Sequence, residues 1–162
     1  MPTPEPGPET RLQIRRVFAT PRAKVFAAWT DRAQLEKWMC KDNPSNRTRY
    51  SELDVRAGGT YRHETIPQSG ERYLLHGTYL EVRPPEKIVF TWAWERHTPQ
   101  GSQVEQMGET LVTVEFFERG ASTEVVLTHE RFANVQLRDR HDMGWNGCFQ
   151  MLASLLDAAP NS

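Results

Sequence analysis

Three histidines sit among apolar residues, where an imidazole can serve as a proton acceptor or as an anchor for a polar ligand group. His129 alternates with Leu127, His63 alternates with Tyr61, and His141 stands one helical turn before Trp145. Strand and helix periodicity therefore allow all three to face one space. A neutral imidazole offers one donor and one acceptor and titrates near neutral pH, so either role is open to each. Beside the chemical reading stands a structural one, in which each ring is a hydrogen-bonded polar group at the rim of the core. Metal ligation has the least support. His129-Glu130 begins like the H-E-x-x-H zinc helix, but position 133 is Ala and the run alternates like a strand, so the ligand geometry fails. No G-x-S-x-G, phosphate loop or G-x-G-x-x-G occurs, and Gly58-Gly59 precedes a strand, as a bulge or tight turn would. No catalytic residue, metal or cofactor is assigned on this basis.

Aromatic residues form the second group. Trp92, Trp94 and Trp145 fall at sheet and helix spacing, with Phe116, Leu127 and Phe149 on the same expected faces. Such residues build cores as readily as ligand boxes. Trp38 ends a short helix near the expected mouth, where a large side chain can act as a lid.

The elements that must position these side chains are legible from period and punctuation. Arg11 to Ala19 reads as a strand with a slip in its alternation, and Thr20-Pro21 announces a helix with Thr20 as its cap and Val25, Phe26 and Trp29 on one face. Asp31-x-x-Gln34 resembles a capping box for a second short helix, which Asn43-Pro44 breaks. From Arg47 onward, short alternating runs bounded by glycines and prolines predict about six antiparallel strands. The clearest is Lys87 to Glu95, with Ile88, Phe90, Trp92 and Trp94 on one face. The strand Tyr73 to Val82 has apolar residues on both faces, so the direction of His76 stays open. Asn134 to about Leu156 repeats apolar residues at three and four residue steps and predicts a long amphipathic helix. Gly144 and Gly147 within it cost about 1 kcal/mol each relative to Ala, which suggests close approach to the sheet or open volume beneath the helix. The result is an α+β fold, a curved antiparallel β-sheet wrapped around a long C-terminal helix, with two short helices after the first strand.

Composition narrows the partners. With 162 residues, 20 Lys and Arg against 21 Asp and Glu, the net charge is -1. One domain fits that length. No global field favours nucleic acid, and no apolar run reaches the roughly 18 residues of a membrane span. Residues 1–10, with four prolines, read as a disordered tail before one domain over 11–160. Without an export signal the expected location is cytoplasmic, and Cys40 and Cys148 are expected to be unpaired thiols.

Several segments, in order, carry a family likeness: Thr20-Pro21-Arg22-Ala23-Lys24-Val25-Phe26-Ala27-Ala28-Trp29, Leu35-x-x-Trp38, Arg56-Ala57-Gly58-Gly59-Thr60-Tyr61, Gly77-x-Tyr79-x-Glu81-x-x-Pro84-Pro85-Glu86-Lys87-Ile88, Thr123 to His129, and His141-x-x-Gly144-Trp145. Together they resemble the START-like (SRPBCC) superfamily, and within it the branch of homologues of the activator of the heat-shock-protein-90 ATPase. The resemblance implies the helix-grip fold, a deep cavity between sheet and long helix, and a small hydrophobic or aromatic molecule as partner. Its walls would include Tyr61, His63, Trp92, Trp94, Phe116 and Leu127 from the sheet, and His141, Trp145 and Phe149 from the helix. His129 would complete the sheet side, with Trp38 near the mouth. Two alternatives remain: a cyclase-, dehydratase- or hydrolase-like enzyme using His129, His63 or His141 in acid-base chemistry, and a chaperone-associated interaction module. The resemblance covers only one domain of the co-chaperone, so a chaperone partner is disfavoured. A homodimer is compatible with the sequence.

Overall fold

Burial that alternates residue by residue defines the first strand, β1 (Leu12–Phe18), where Leu12 and Phe18 are buried while Val17 is 58% exposed. No slip occurs in this strand. It pairs without interruption with β7 (Ser122–Glu130), from Leu12 opposite His129 to Phe18 opposite Thr123. Residues 10–40, 47–66, 70–98 and 104–158 are described in this computed structural model. The proline-rich stretch expected as a tail lies outside the described residues apart from Thr10, as do the Asn43-Pro44 break and residues 159–160 at the end of the expected domain.

The chain leaves β1 into α1 (Arg22–Thr30). Thr20 does not cap this helix. Its carbonyl accepts the Thr123 hydroxyl at 2.7 Å, which ties the turn to β7, and the helix starts one residue later from Pro21, whose carbonyl accepts the amides of Lys24 and Val25. A second helix, α2 (Arg32–Trp38), is capped as the sequence suggests, the Asp31 carboxylate accepting the Gln34 amide at 3.2 Å.

The remaining strands are β2 (Arg47–Leu53), β3 (Thr60–Ile66), β4 (Arg72–Arg83), β5 (Lys87–His97) and β6 (Val104–Arg119). With β1 and β7 they form one antiparallel, curved sheet in the order β1-β7-β6-β5-β4-β3-β2. Ile88, Phe90, Trp92 and Trp94 are all buried, as are Val112, Val114 and Phe116 on β6 and Val125, Leu127 and His129 on β7. His76 is exposed on β4 and so points away from this apolar layer.

A long helix, α3 (Val135–Ala158), covers the layer; the Asn134 side chain accepts the Leu137 amide at its start. Trp145, Cys148, Phe149, Leu152 and Leu156 are its buried stripe. Ring contacts fix where it crosses the sheet. His141 stacks near Trp94, Trp145 meets Trp92 at 5.1 Å, and Phe149 meets Phe18 at 6.0 Å, so the helix runs from β5 toward β1. Neither cysteine forms a disulfide. Among the described residues, no helix is long and apolar enough to cross a membrane.

Candidate functional site

The three histidines meet different fates. His129 on β7 is fully buried and closed at both ends: the Trp145 indole donates to its Nδ1 at 3.0 Å, and its Nε2 lies 2.7 Å from the Thr110 hydroxyl. Because Trp145 can only donate, Nδ1 is the acceptor, so Nε2 carries the proton and donates to Thr110. The Thr110 hydroxyl then donates to the Trp92 carbonyl at 2.7 Å. This chain holds helix α3 to β7, β6 and β5 with every polar atom used. Burial, followed by the nearby His141, pushes the His129 pKa well below its ordinary value.

His141 on α3 is closed in the same way. Its Nε2 accepts the Trp94 indole at 3.2 Å, and its Nδ1 donates to the Leu137 carbonyl at 2.8 Å. Burial lowers its pKa, the Leu137 hydrogen bond opposes that, and the Arg140 charge adds to the lowering. Phe132 lies 4.3 Å from the His129 ring and 4.9 Å from the His141 ring, sealing the pair from one side. Both histidines are structural clamps: neither has a lone pair left for a substrate.

His63 on β3 is the exception. It is 1% exposed, and neither ring nitrogen has a hydrogen-bond partner. Burial alone pushes its pKa down to about 3, so the ring is neutral at physiological pH. Its neighbours are rings: Tyr50, directly across on β2, at 4.6 Å; Tyr61, on its own strand, at 6.0 Å; and Trp92, edge-on from β5, at 6.2 Å. The indole nitrogen of Trp92 is likewise buried without a partner, and so is that of Trp29 on α1. Buried polar atoms are normally satisfied, so such a group calls for an explanation.

Local irregularities in the sheet set this arrangement. Between β4 and β5 the register is unchanged from His76 opposite Ala93 to Tyr79 opposite Phe90 and shifts beyond, between Tyr79 and Glu81. Within the unshifted stretch the Thr78 amide donates to the Thr91 hydroxyl, and the Thr91 carbonyl accepts the Tyr61 hydroxyl at 2.6 Å. Tyr61 lies across Gly77, where a Cβ would stand 2.7 Å from its ring and 2.0 Å from the Thr91 oxygen. On the other side of β5, the register shifts between Trp92 and Trp94, two residues of β5 spanning three of β6. On its β6 side Trp92 thus adjoins a departure from regular pairing, a device that re-aims a side chain.

The eleven residues expected to line a site fall into two groups. Around His63 stand Tyr61 and Trp92, whereas Phe116 and Phe149 belong to an interlocked block with Phe18, Phe26 and Trp29. Leu127 is fully buried. Trp145 bridges the groups, stacked 6.1 Å from Trp29 and 5.1 Å from Trp92, and Trp94 is held beyond it by His141 with the Arg140 guanidinium over its ring. Trp38 is not a lid at the surface. It is fully buried, packs edge-on to Trp29 at 4.6 Å, and donates its indole N–H to the Ala28 carbonyl.

Sequence reasoning missed Tyr50, Thr110, Trp29 and Phe132 as neighbours of this chemistry. Tyr50 alternates with Thr48 among exposed arginines of β2, a readable period-2 signal. Thr110 extends the alternating buried face of Val112, Val114 and Phe116 by one step, a period-2 signal, but its hydrogen bonds carry none. Among the described residues no cluster of three or more His, Cys, Asp or Glu side chains could hold a metal ion.

With this geometry in view, residues 19–157 match the family described as Activator of Hsp90 ATPase homolog 1-like protein. No curated protein matches the chain. Protein CV1439 from Chromobacterium violaceum has a similar structure, with a TM-score of 0.78 at 22% identity over 93% of this chain and 99% of that one. The AHSA1 protein SPO3351 from Silicibacter pomeroyi gives 0.76 at 24% identity over 91% and 97%. CalU16 from Micromonospora echinospora gives 0.64 at 20% identity over 91% and 76%. At these identities the likenesses establish the shared helix-grip fold.

Proposed function

The chain belongs to the family of Activator of Hsp90 ATPase homolog 1-like proteins, and from that premise we propose that it binds a small hydrophobic or aromatic molecule between the concave sheet face and α3. The fold of this family commonly binds hydrophobic ligands. The observation that carries the reading is His63, buried with both nitrogens unpartnered beside the unpartnered indole of Trp92, in a wall otherwise made of aromatic and aliphatic groups. Ligand sites are mostly apolar with a few placed polar groups, and this wall has that composition.

The test uses N-phenyl-1-naphthylamine, an uncharged fluorescent aromatic probe. Titration should enhance probe emission and quench tryptophan emission with saturable, one-site behaviour, and Trp145→Ala should weaken binding through lost wall area. Probe emission that never saturates, or that is unchanged in the variant, counts against the proposal. An acid-base enzyme on the same fold is the second reading. The hydrogen bonds that close His129 and His141 leave it resting on His63, whose nitrogens are the open ones.

A further inference from the structure

Resting on the binding reading above, we propose that His63 is a specificity anchor that selects uncharged, planar molecules bearing a hydroxyl group, and that the site rejects carboxylates. A neutral imidazole presents one N–H and one lone pair, and an indole presents one N–H. A hydroxyl on an aromatic ring can answer both residues at once, donating to the bare nitrogen of His63 while accepting from Trp92. The rings meet edge-on with their centroids 6.2 Å apart, which puts the unpartnered atoms of both in one neighbourhood. A hydrocarbon of the same shape leaves all of these atoms unmet and so forgoes that gain.

The exclusion of anions follows from what surrounds the ring. Across from His63 on β2 stands Tyr50, beside it on β3 is Tyr61, opposite it on β4 is Leu75, and Trp92 approaches from β5. The Tyr50 and Tyr61 hydroxyls are pushed well above the ordinary tyrosine range, burial being the first cause. The charges nearest on α2 are already engaged: Glu36 accepts the Tyr50 amide, Arg32 donates to the Tyr50 carbonyl, and the two pair with each other at 3.5 Å. No charged neighbour contributes to the lowered basicity of His63, which burial alone produces. An entering carboxylate therefore meets no cation and must shed its charge or its hydration without compensation.

The decisive experiment compares naphthalene, 2-naphthol and 2-naphthoate on the full chain by tryptophan quenching at pH 7.5 and 5.5, with N-phenyl-1-naphthylamine as the reference ligand. Wild type should bind 2-naphthol at least tenfold more tightly than naphthalene at both pH values. It should bind 2-naphthoate weakly at pH 7.5 and up to a hundredfold more tightly at pH 5.5, where the neutral acid is more abundant. His63→Leu should bring 2-naphthol and naphthalene to within about threefold of each other while keeping naphthalene binding. His63→Gln, which keeps a donor and an acceptor, should retain part of the preference, and its thermal unfolding separates a lost anchor from a lost fold. Equal affinity of wild type for naphthalene and 2-naphthol overturns the anchor, as it would if a water molecule satisfies His63. Tight, pH-independent binding of 2-naphthoate overturns the charge selection. Failure of all four ligands to bind overturns the binding reading itself.

Discussion

Two buried histidines of similar exposure differ in what surrounds their nitrogens, and that difference predicts opposite responses to the same substitution. Replacing His129 with leucine strands the Trp145 indole N–H and removes a partner of Thr110, so His129→Leu should destabilise the protein by about 2 kcal/mol. Replacing His63 with leucine removes two polar atoms that have no partner and keeps the volume, so His63→Leu should stabilise the ligand-free protein by about 1 to 3 kcal/mol. Denaturant unfolding of the two variants side by side checks the signs. Destabilisation by both would mean that His63 is satisfied in solution and has no polar capacity to offer a ligand. A residue retained against stability is a familiar mark of function, and this contrast isolates His63 from the clamps that resemble it in sequence.

At the scale of elements, the site depends on how closely β3, β4 and β5 approach one another, and Gly77 marks the place. A Cβ at Gly77 would collide with the Thr91 carbonyl and the Tyr61 ring, breaking the hydrogen bond by which Tyr61 on β3 reaches over β4 to β5. Gly77→Ala should therefore cost about 2 kcal/mol or more. Gly144 is the opposite case. Its position in α3 suggested either close packing or open volume, and a Cβ there meets nothing within 4 Å. Removing the conformational freedom of glycine from a helix interior should then make Gly144→Ala more stable by about 1 kcal/mol, measurable as a rise in melting temperature. No rise would mean that α3 is not helical at this point in solution.

For the molecule as a whole, the order of elements and the buried stripes were legible because periodicity encodes which face is apolar: Ile88 to Trp94 and His141 to Leu156 could be read without a structure. What the sequence hid were hydrogen bonds closed over long separations. His129 finds Thr110 and Trp145 only after β6 has paired with β7 and α3 has docked, since Val112, two residues from Thr110, stands opposite His129. Trp38 looked like a lid because its helix is short, yet its indole reaches back to Ala28 and fixes it inside. His63 looked no different from the other two histidines, because being unpartnered is a property of its neighbours.

The same three rings set how the whole domain responds to acid. Each has a folded-state pKa below the unfolded value of about 6.5. Between the two values the unfolded chain holds a proton that the folded protein refuses, so stability rises with pH through that window. It is greatest above pH 6.5 and falls as the pH drops, by up to about 1.4 kcal/mol per pH unit for each histidine kept neutral. For His63 the window runs from 6.5 down to about 3. His63→Leu lacks one of these titrations, so its advantage over wild type should widen below pH 6.5, approaching about 1.4 kcal/mol per unit. Denaturant unfolding at pH 7.5, 6 and 5 reads that gap directly. A constant gap would mean that His63 protonates as readily folded as unfolded, and hence that water reaches it. A widening gap would place His63 in a dry environment in which one hydroxyl can decide between ligands.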